Sequence, residues 1–286
     1  MSLPPIATPD AAARWCAEHG ARLGFVPTMG ALHEGHATLV RRARAECEHV
    51  VASVFVNPLQ FDDPRDFQRY PRDLAADRAL LGAEGCALVL TGTLEQFFPE
   101  AGGQAPPARD PGPDAAGLEG EFRPGHFVGV ATICARLFEL VRPARAYFGE
   151  KDFQQCRVVR HVARGLGGPE IVICPTSRDP DGLARSSRNR LLAPGERATA
   201  LALPRALFAA RAAFREGERR VERLEALLAA ELARADLTVE YAVVRDPERL
   251  ALRQDELAGA ARALVAARVG RVRLIDNLDL AGGSGA

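Results

Sequence analysis

Short apolar runs and helically spaced apolar residues follow one another along roughly the first two thirds of the chain. The apolar runs predict buried strands at residues 22–26, 50–56, 87–90, 146–148 and 170–174. The helical spacing predicts helices at residues 36–47, 74–81, 128–141 and 153–166. Because strands and helices alternate, we predict an α/β fold with a Rossmann-like, doubly wound parallel sheet. Ligands of such a sheet bind beyond the carboxyl ends of its strands.

The pattern changes after residue 176. Two long helices rich in Ala, Arg and Leu are predicted at residues 194–214 and 221–235. Residues 238–244, 261–269 and 272–275 then alternate like the strands of a small antiparallel sheet. We therefore predict two domains, a Rossmann-like domain at residues 1–176 and a smaller α+β C-terminal domain at residues 177–286.

A segment rich in Gly, Pro and Ala interrupts the first domain. Residues 101–117 read AGGQAPPARDPGPDAAG. Glycine and proline at this frequency disfavour a regular helix or strand, so we predict a mobile loop or flap.

Charge and hydropathy exclude several classes of function. The formal net charge is zero, which gives no general attraction to nucleic acid or to an anionic membrane. No stretch approaches the roughly 18 apolar residues of a membrane span, and the N-terminus lacks the pattern of a secretion signal. The six cysteines form no close pairs and stand in apolar segments, which indicates buried thiols in a reducing compartment. We expect a soluble, cytoplasmic protein.

Lys151 is the only lysine among 37 basic residues. An ammonium group is a compact point charge, whereas a guanidinium is a broad planar fork. A single lysine in an arginine-rich chain therefore suggests a site that needs the compact cation, with survival by chance as the alternative.

The stretch FVPTMGALHEGH at residues 25–36 carries the strongest chemical signal. Gly30 permits a tight turn after the predicted strand, and His33 and His36 flank the start of the following helix. A helix N-terminus offers N–H groups and partial positive charge to an anion, and Gly35 lets a ligand approach the backbone. Phosphate binding is favoured, while structural histidines and a zinc pair remain alternatives.

Other polar residues follow later strands of the predicted sheet. Asn57 and Gln60 offer neutral amides to a hydroxyl-bearing substrate, with loop capping as the alternative. The stretch FRPGHF holds Arg123 and His126 around a Pro-Gly turn. In the stretch YFGEKDFQQ, Lys151 can neutralise phosphate charge at a strand-to-helix junction.

A last polar stretch, DGLARSSRNR at residues 181–190, lies between the two predicted domains. Ser186 and Ser187 supply short hydroxyl donors, Arg188 supplies a rigid guanidinium fork, and Asn189 tolerates turn conformations. We interpret this stretch as a clamp over the site, with a solvated linker as the alternative.

Together these segments resemble the pantoate–β-alanine ligase family, which belongs to the nucleotidyltransferases marked by a His-x-Gly-His motif. The stretches that carry the resemblance span nearly the whole chain: PTMGALHEGH, FVNPLQF, RYPRDL, FRPGHF, YFGEKDFQQ, DGLARSSRNR and VAARVGRVRLIDN. The resemblance implies ATP-dependent condensation of (R)-pantoate with β-alanine through pantoyl adenylate, which gives pantothenate, AMP and pyrophosphate. It also implies Mg²⁺ with the nucleotide, no protein-held metal, and a homodimer.

The resemblance also implies roles for individual residues. Residues 1–176 would bind nucleotide and pantoate, and residues 177–286 would form a lid. The implied catalytic residues are His36, His33, Lys151 and Arg188. The implied ATP-binding residues are Met29, Gly30, Ala31, Leu32, His33, Glu34, Gly35, His36, Gly149, Glu150, Lys151, Asp152, Ser177, Arg185, Ser186, Ser187 and Arg188. The implied substrate-binding residues are Gln60, Gln155, Asn57 and, for the β-alanine carboxylate, Arg123.

Three departures and two rival functions accompany the resemblance, and one departure is that residues 101–117 are unusually rich in Pro and Gly. Arg185 stands where the family usually has methionine or leucine, and Asp62 and Asp63 stand where Gly-Pro is common. The nearest rival is another adenylyl- or cytidylyltransferase with the same histidine motif. A tRNA-binding or nucleotide-sensing module on the same fold is the rival from another class, and the neutral charge argues against it.

Overall fold

The computed structural model describes residues 3–20, 22–250, 254–257 and 259–282. It divides into two compact units. The first unit comprises Met1–Glu150 and Gln154–Cys174, and the second comprises Lys151–Phe153 and Pro175–Ala286.

The first unit is built on a six-stranded sheet whose paired strands all run parallel. Its strands are β1 (Ile6–Ala7), β2 (Leu23–Thr28), β3 (His49–Val54), β4 (Leu88–Leu90), β5 (Arg145–Gly149) and β6 (Glu170–Cys174). They are arranged in the order β1-β4-β3-β2-β5-β6. The strand order reverses between β2 and β5, and a crevice at such a switch point is where ligands of open α/β sheets bind.

Helices cover both faces of this sheet. They are α1 (Pro9–His19), α2 (Glu34–Glu46), α3 (Pro64–Arg69), α4 (Leu74–Ala83), α5 (Leu94–Phe97), α6 (Glu119–Phe122), α7 (His126–Val141) and α8 (Phe153–Gly165). Neighbouring residues of β2 point to opposite faces, and both faces are buried. Phe25 belongs to a core with residues of α1, α7 and α8, whereas Val26 belongs to a second core with residues of α2. These two cores confirm the predicted doubly wound fold.

The second unit contains a three-stranded antiparallel sheet in the order β7-β8-β9. The strands are β7 (Thr238–Arg245), β8 (Arg262–Val269) and β9 (Val272–Asp279). The helices are α9 (Pro194–Ala200), α10 (Ala202–Arg215) and α11 (Val221–Leu232). Leu203, Leu224 and Val265 represent the one apolar core that these helices share with the sheet. The predicted small antiparallel sheet is confirmed.

The prediction of one continuous helix at residues 194–214 is wrong. The helix ends at Ala200, and a new helix begins at Ala202. Pro204 explains the break because proline has no N–H to donate to the carbonyl of residue 200, and its ring clashes with that carbonyl.

Residues 101–117, all of which the structure describes, contain short 3-10 turns but neither α-helix nor strand, as predicted. Side chains nevertheless fasten this segment to α7 and α8. The Arg109 N–H donates to Thr132 Oγ1 at 3.1 Å, and Arg157 Nε donates to Asp114 Oδ2 at 3.0 Å. The segment is therefore an anchored loop of the first unit.

The cysteines agree with the prediction of buried thiols. None of the six cysteines, all of which lie in the described ranges, forms a disulfide, and only Cys47 is not buried. Burial raises the pKa of the Cys16 and Cys86 thiols to about 11, and that of Cys134 to about 12. Within the described ranges, no helix has the length and apolar character to cross a membrane.

Candidate active site

The predicted phosphate-binding turn follows β2 at the carboxyl edge of the parallel sheet. The Thr28 hydroxyl donates to the Ser53 carbonyl at 2.6 Å and accepts from the Gly30 N–H at 3.2 Å. Gly30 has a φ of 83°, and a Cβ there would lie 2.7 Å from an Asp77 oxygen. Ala31 has a φ of 51°, a region that is unfavourable for residues other than glycine. The turn therefore requires glycine at position 30 and is strained at Ala31.

A buried carboxylate of α4 holds this turn. Asp77 is 3% exposed, and its two oxygens accept from the Ala31 N–H at 3.0 Å and the Leu32 N–H at 2.7 Å. Both residues are themselves buried, so these N–H groups would pay a desolvation cost without the carboxylate. The sequence alone does not indicate this role of Asp77, because a charged residue on a helix with other charges is typical of a solvated position.

The two histidines cap the N-terminus of α2. His33 is extended with a φ of −145°, and its Nδ1 accepts from the Gly35 N–H at 3.1 Å. His36 Nδ1 in turn accepts from the His33 N–H at 3.3 Å, and the two rings lie 4.2 Å apart. Glu34 opens the helix and pairs with exposed Arg41 at 2.6 Å.

These caps determine which ring nitrogen carries the hydrogen. A nitrogen that accepts from a backbone N–H cannot carry its own hydrogen, so the neutral imidazoles of His33 and His36 are protonated at Nε2. Each ring then offers an Nε2–H donor while its Nδ1 stabilises the turn. The sequence left open a purely structural role for these histidines, and the geometry combines the structural role with a donor.

Met29, Asn57 and Gln60 are brought together where β2 and β3 end. Gln60 Nε2 lies 3.1 Å from Met29 Sδ, and Gln60 Oε1 accepts from Asn57 Nδ2 at 3.0 Å. Asn57 also donates to the Gly129 carbonyl at 3.2 Å. A Cβ at Gly129 would lie 2.1 Å from the Leu59 carbonyl oxygen, so glycine in α7 allows this close approach. Met29, which is predicted to bind ATP, thus contacts Gln60, which is predicted to bind the second substrate.

Arg123 and His126 bind the main chain of Gln60. The Gln60 carbonyl oxygen lies 3.2 Å from Arg123 Nη2 and 2.8 Å from His126 Nδ1. The Arg123 guanidinium also pairs with Asp62 at 3.1 Å and with Glu119 at 3.6 Å. Two carboxylates already engage this guanidinium, which argues for a positioning role in preference to binding of a substrate carboxylate. Asp62, noted as a departure from the family, is one of these partners.

Gln154 and Gln155 stand in the first turn of α8. Gln154 is buried, and its Nε2 lies within 3.2 Å of the carbonyl oxygens of Asp114, Ala116 and Gly117. Its Oε1 accepts from the Glu119 N–H at 3.0 Å. Gln155 is half-buried. The first glutamine therefore anchors the loop at residues 101–117.

In the stretch around Lys151, Gly149 and Glu150 belong to the first unit and Lys151–Phe153 to the second. Gly149 closes β5, and a Cβ at this position would meet no atom within 4 Å. A 3-10 turn then runs over Glu150–Asp152. In the second unit, Lys151 Nζ donates to Asp152 Oδ1 at 2.9 Å, and Asn277 Nδ2 donates to the Lys151 carbonyl at 2.8 Å.

The predicted clamp in the second unit is an ordered turn. An isolated β-bridge joins Arg178 to Ala184, and the Arg185 N–H donates to the Ser177 carbonyl at 2.9 Å. Arg185 Nε donates to Asp179 Oδ1 at 2.8 Å.

Residues 186–188 begin a second turn directly after this bridge. Ser186 Oγ accepts from the Arg188 N–H at 3.3 Å and caps the 3-10 turn Ser187–Leu191, in which Ser187 is buried. The stretch is therefore an ordered, hydrogen-bonded turn, which disfavours the alternative of a solvated linker.

The comparison with protein families identifies the family of this chain. The model of the family described as pantoate-beta-alanine ligase matches residues 6–279. The chain belongs to the pantoate–β-alanine ligase family.

Similar proteins and solved structures agree. The pantothenate synthetase of Rubrobacter xylanophilus is 52% identical over 277 residues, which cover 93% of this chain and 94% of that protein. The crystal structure of pantothenate synthetase from Thermus thermophilus has a TM-score of 0.89 and 46% identity, with coverage of 97% and 99%. A pantoate-beta-alanine ligase from Francisella tularensis, complexed with beta-gamma ATP and beta-alanine, has a TM-score of 0.80 and 28% identity, with coverage of 99% of both chains.

As a pantoate–β-alanine ligase, the enzyme condenses (R)-pantoate with β-alanine to give pantothenate. The reaction consumes ATP, passes through pantoyl adenylate and releases AMP and pyrophosphate. The comparisons do not favour the alternative of another nucleotidyltransferase with the same histidine motif.

Proposed function

We propose that residues 28–36 bind the phosphates of ATP, with His33 and His36 as hydrogen-bond donors. The observation that carries this proposal is that both Nδ1 atoms accept backbone N–H groups, so that the ring hydrogens sit on Nε2. The N-terminus of α2 adds the partial positive charge of its dipole. Neutral imidazoles can bind phosphate in this way, so a positively charged imidazolium is not needed.

These donors suit adenylyl transfer. A pantoate carboxylate oxygen forms a bond to the α-phosphorus while the bond to the bridging oxygen breaks, and pyrophosphate leaves with that electron pair. The β-alanine nitrogen then attacks the acyl carbon and displaces AMP. Donors prearranged around the charge that develops on phosphorus stabilise both the approach and the departure. We assign this role to His33, His36, Lys151 and Arg188.

The remaining ATP-binding assignments are proposed on the family resemblance. Backbone and side chains of residues 29–36 would line the triphosphate, and Gly149 and Glu150 would lie beside the nucleotide. Asp152 would bind ribose hydroxyls and Ser177 would meet adenine through its backbone. Arg185, Ser186 and Ser187 would belong to the clamp.

We assign pantoate to Asn57, Gln60 and Gln155. Gln60 touches both Asn57 and Met29, which supports adjacent positions for the second substrate and the nucleotide. Neutral amides can accept from the pantoate hydroxyls and donate to its carboxylate without adding charge. Arg123 would act on this site through its bond to the Gln60 carbonyl.

Mg²⁺ would enter with the nucleotide. In the described part of the chain, no group of three or more His, Cys, Asp or Glu residues is arranged to hold a metal ion. Mg²⁺ keeps several waters and is bound by one or two carboxylates together with substrate phosphates. The ion would neutralise triphosphate charge.

The family resemblance also supports a homodimer, a cytoplasmic location and a division into a substrate-binding domain at residues 1–176 and a lid domain at residues 177–286. Light scattering coupled to gel filtration would test the dimer, and a monomer at micromolar concentration would contradict it.

The donor role of His36 can be separated from its capping role. His36→Asn keeps an acceptor near the Nδ1 position but removes the Nε2 donor, whereas His36→Gln keeps a donor near the Nε2 position. We expect His36→Asn to slow pantoyl-adenylate formation by about 10²- to 10³-fold at near-normal thermal stability. His36→Gln should retain more activity.

The measurement is rapid-quench release of pyrophosphate with ATP, Mg²⁺ and pantoate, and each substrate is omitted in turn. His19→Ala, at a histidine in α1, is the matched control and should keep full activity. Equal rates for His36→Asn and the natural enzyme would remove His36 from the mechanism.

A further inference from the structure

Two adjacent polar residues are buried in β9. Asp276 and Asn277 are 4% and 3% exposed. They belong to the stretch LIDN, which contributes to the family resemblance, although the resemblance implies no role for either residue. A buried carboxylate and a buried amide are costly in a strand unless each is hydrogen-bonded, so their contacts indicate their purpose.

Asn277 joins the lysine segment to the sheet of the second unit. Its Nδ2 donates to the Lys151 carbonyl at 2.8 Å, and its Oδ1 accepts from Arg262 Nη1 at 2.5 Å. The Arg262 guanidinium carbon lies 4.0 Å from the centre of the Phe153 ring. One residue of β8 and one of β9 therefore hold both ends of the segment Lys151–Phe153.

Asp276 supplies a buried negative charge next to this contact. Its carboxylate accepts two hydrogen bonds from Arg178, at 2.7 and 2.9 Å. Burial raises the pKa of the Asp276 carboxyl, and the positive charges of Arg178 and Lys151 both oppose that rise. Asp276 Oδ1 also accepts from the Asn277 N–H at 2.7 Å, so Asp276 fixes the backbone of Asn277.

We propose that Asn277 and Asp276 are positioning residues for Lys151, because Asn277 binds the Lys151 carbonyl and Asp276 fixes the backbone of Asn277. This inference rests on the proposed role of Lys151 in binding phosphate. A long, flexible lysine side chain is a precise phosphate ligand only if its backbone is fixed. A strand of the second unit performs that task, because the sequence neighbours of Lys151 form only a short 3-10 turn.

Asn277→Asp tests the contact most directly. The variant keeps an oxygen for Arg262 but replaces the N–H donor to the Lys151 carbonyl by a second oxygen. Displacement of a catalytic group by about 1 Å costs on the order of 10²-fold, so we expect the adenylate-forming kcat to fall by about 10- to 100-fold. Asp276→Asn, which keeps an acceptor for Arg178, is the second variant, and we expect a fall of about 10-fold.

A control variant lies on the same strand. Asp279 accepts from the N–H groups of Ala281 and Gly282, so Asp279→Asn changes a carboxylate of β9 that has another function. This variant should keep its activity. Circular dichroism and thermal melting of each variant distinguish lost positioning from lost folding.

A double-mutant cycle with Lys151→Ala decides the matter. If Asn277 acts through Lys151, Asn277→Asp should cause no further loss of kcat in the Lys151→Ala enzyme. An equal loss in both backgrounds, or a normal kcat for both Asn277→Asp and Asp276→Asn, would overturn the inference and leave the role of Lys151 intact. A fully active Lys151→Ala enzyme would instead overturn the proposed role of Lys151.

Discussion

The turn at residues 28–36 and the segment Lys151–Phe153 carry different proposed phosphate ligands, imidazoles in the turn and an ammonium group in the segment. They are also held differently. His33 and His36 bind backbone groups within three residues of themselves. The Lys151 carbonyl is held by Asn277, 126 residues away in the sequence.

This difference explains why one ligand could be understood from the sequence better than the other. The spacing of His33 and His36 predicts both caps, because residues i and i+3 lie side by side at a helix N-terminus. Nothing near Lys151 in the sequence indicates that an amide of a later strand holds it. The first segment is organised locally, and the second depends on the assembled sheet.

Substitution of Lys151 should give the largest effect and tests whether its compact charge matters. We expect Lys151→Ala to slow adenylate formation by about 10²- to 10³-fold, because one transition-state donor is lost. Lys151→Arg should also lose most activity, since a guanidinium is broader than an ammonium group. Single-turnover kinetics with saturating ATP would measure both.

Lys151→Gln, which keeps length without charge, is the matched control and should behave like the alanine variant. Normal turnover of the Lys151→Arg enzyme would show that the site does not need the compact charge of lysine.

Asp77 supports the turn from a distant part of the chain, and its substitution should have the next largest effect. Asp77→Asn keeps one acceptor oxygen and turns an N–H donor toward a backbone N–H. We expect a loss of about 1–3 kcal/mol in the free energy of unfolding, together with weaker ATP binding. Urea denaturation and ATP titration would measure the two.

Asp73→Asn on the same helix is the matched control. Asp73 caps α4 by accepting from the Ala76 N–H at 3.0 Å, and asparagine caps equally well. Unchanged stability in both variants would show that the turn does not need its buried carboxylate.

The smallest expected effect concerns the clamp of the second unit, which is held by ion pairs near the surface. Burial acts to raise the pKa of Asp179, but hydrogen bonds from Arg197 and Arg185 outweigh it, so the pKa is lowered. The carboxylate therefore stabilises the fold at pH values above about 3.9, the pKa of Asp in the unfolded chain. This stabilisation is lost as the pH falls through the lower pKa that Asp179 has in the folded chain.

We expect Asp179→Asn to cost about 1 kcal/mol or less at pH ~7, and the difference from the natural enzyme to vanish at low pH. Urea unfolding across the acidic range would measure it. A cost that is the same at every pH would contradict the ion-pair explanation.

Much of the fold could be predicted because the first sheet is buried on both faces. A continuous apolar run such as residues 50–56 can pack against helices on both faces of the sheet, and strand β3 (His49–Val54) lies in this run. The two-residue strand β1 carries no periodic signal, and it exists only because β4 provides a partner. The break between α9 and α10 was readable from Pro204, and the apolar spacing on either side concealed it.

The candidate site divides in the same way. Its residue types and their order at the strand ends were present in the sequence, including the glycine turn, the paired histidines and the single lysine. Tertiary structure alone decided that Asp77 binds the turn, that Arg123 binds Gln60 and that Asn277 binds Lys151. The physical reason is the range of the interactions. A cap or a tight turn is made by neighbours in the chain, whereas a buried polar group takes whichever partner the packed strands and helices bring within hydrogen-bonding distance.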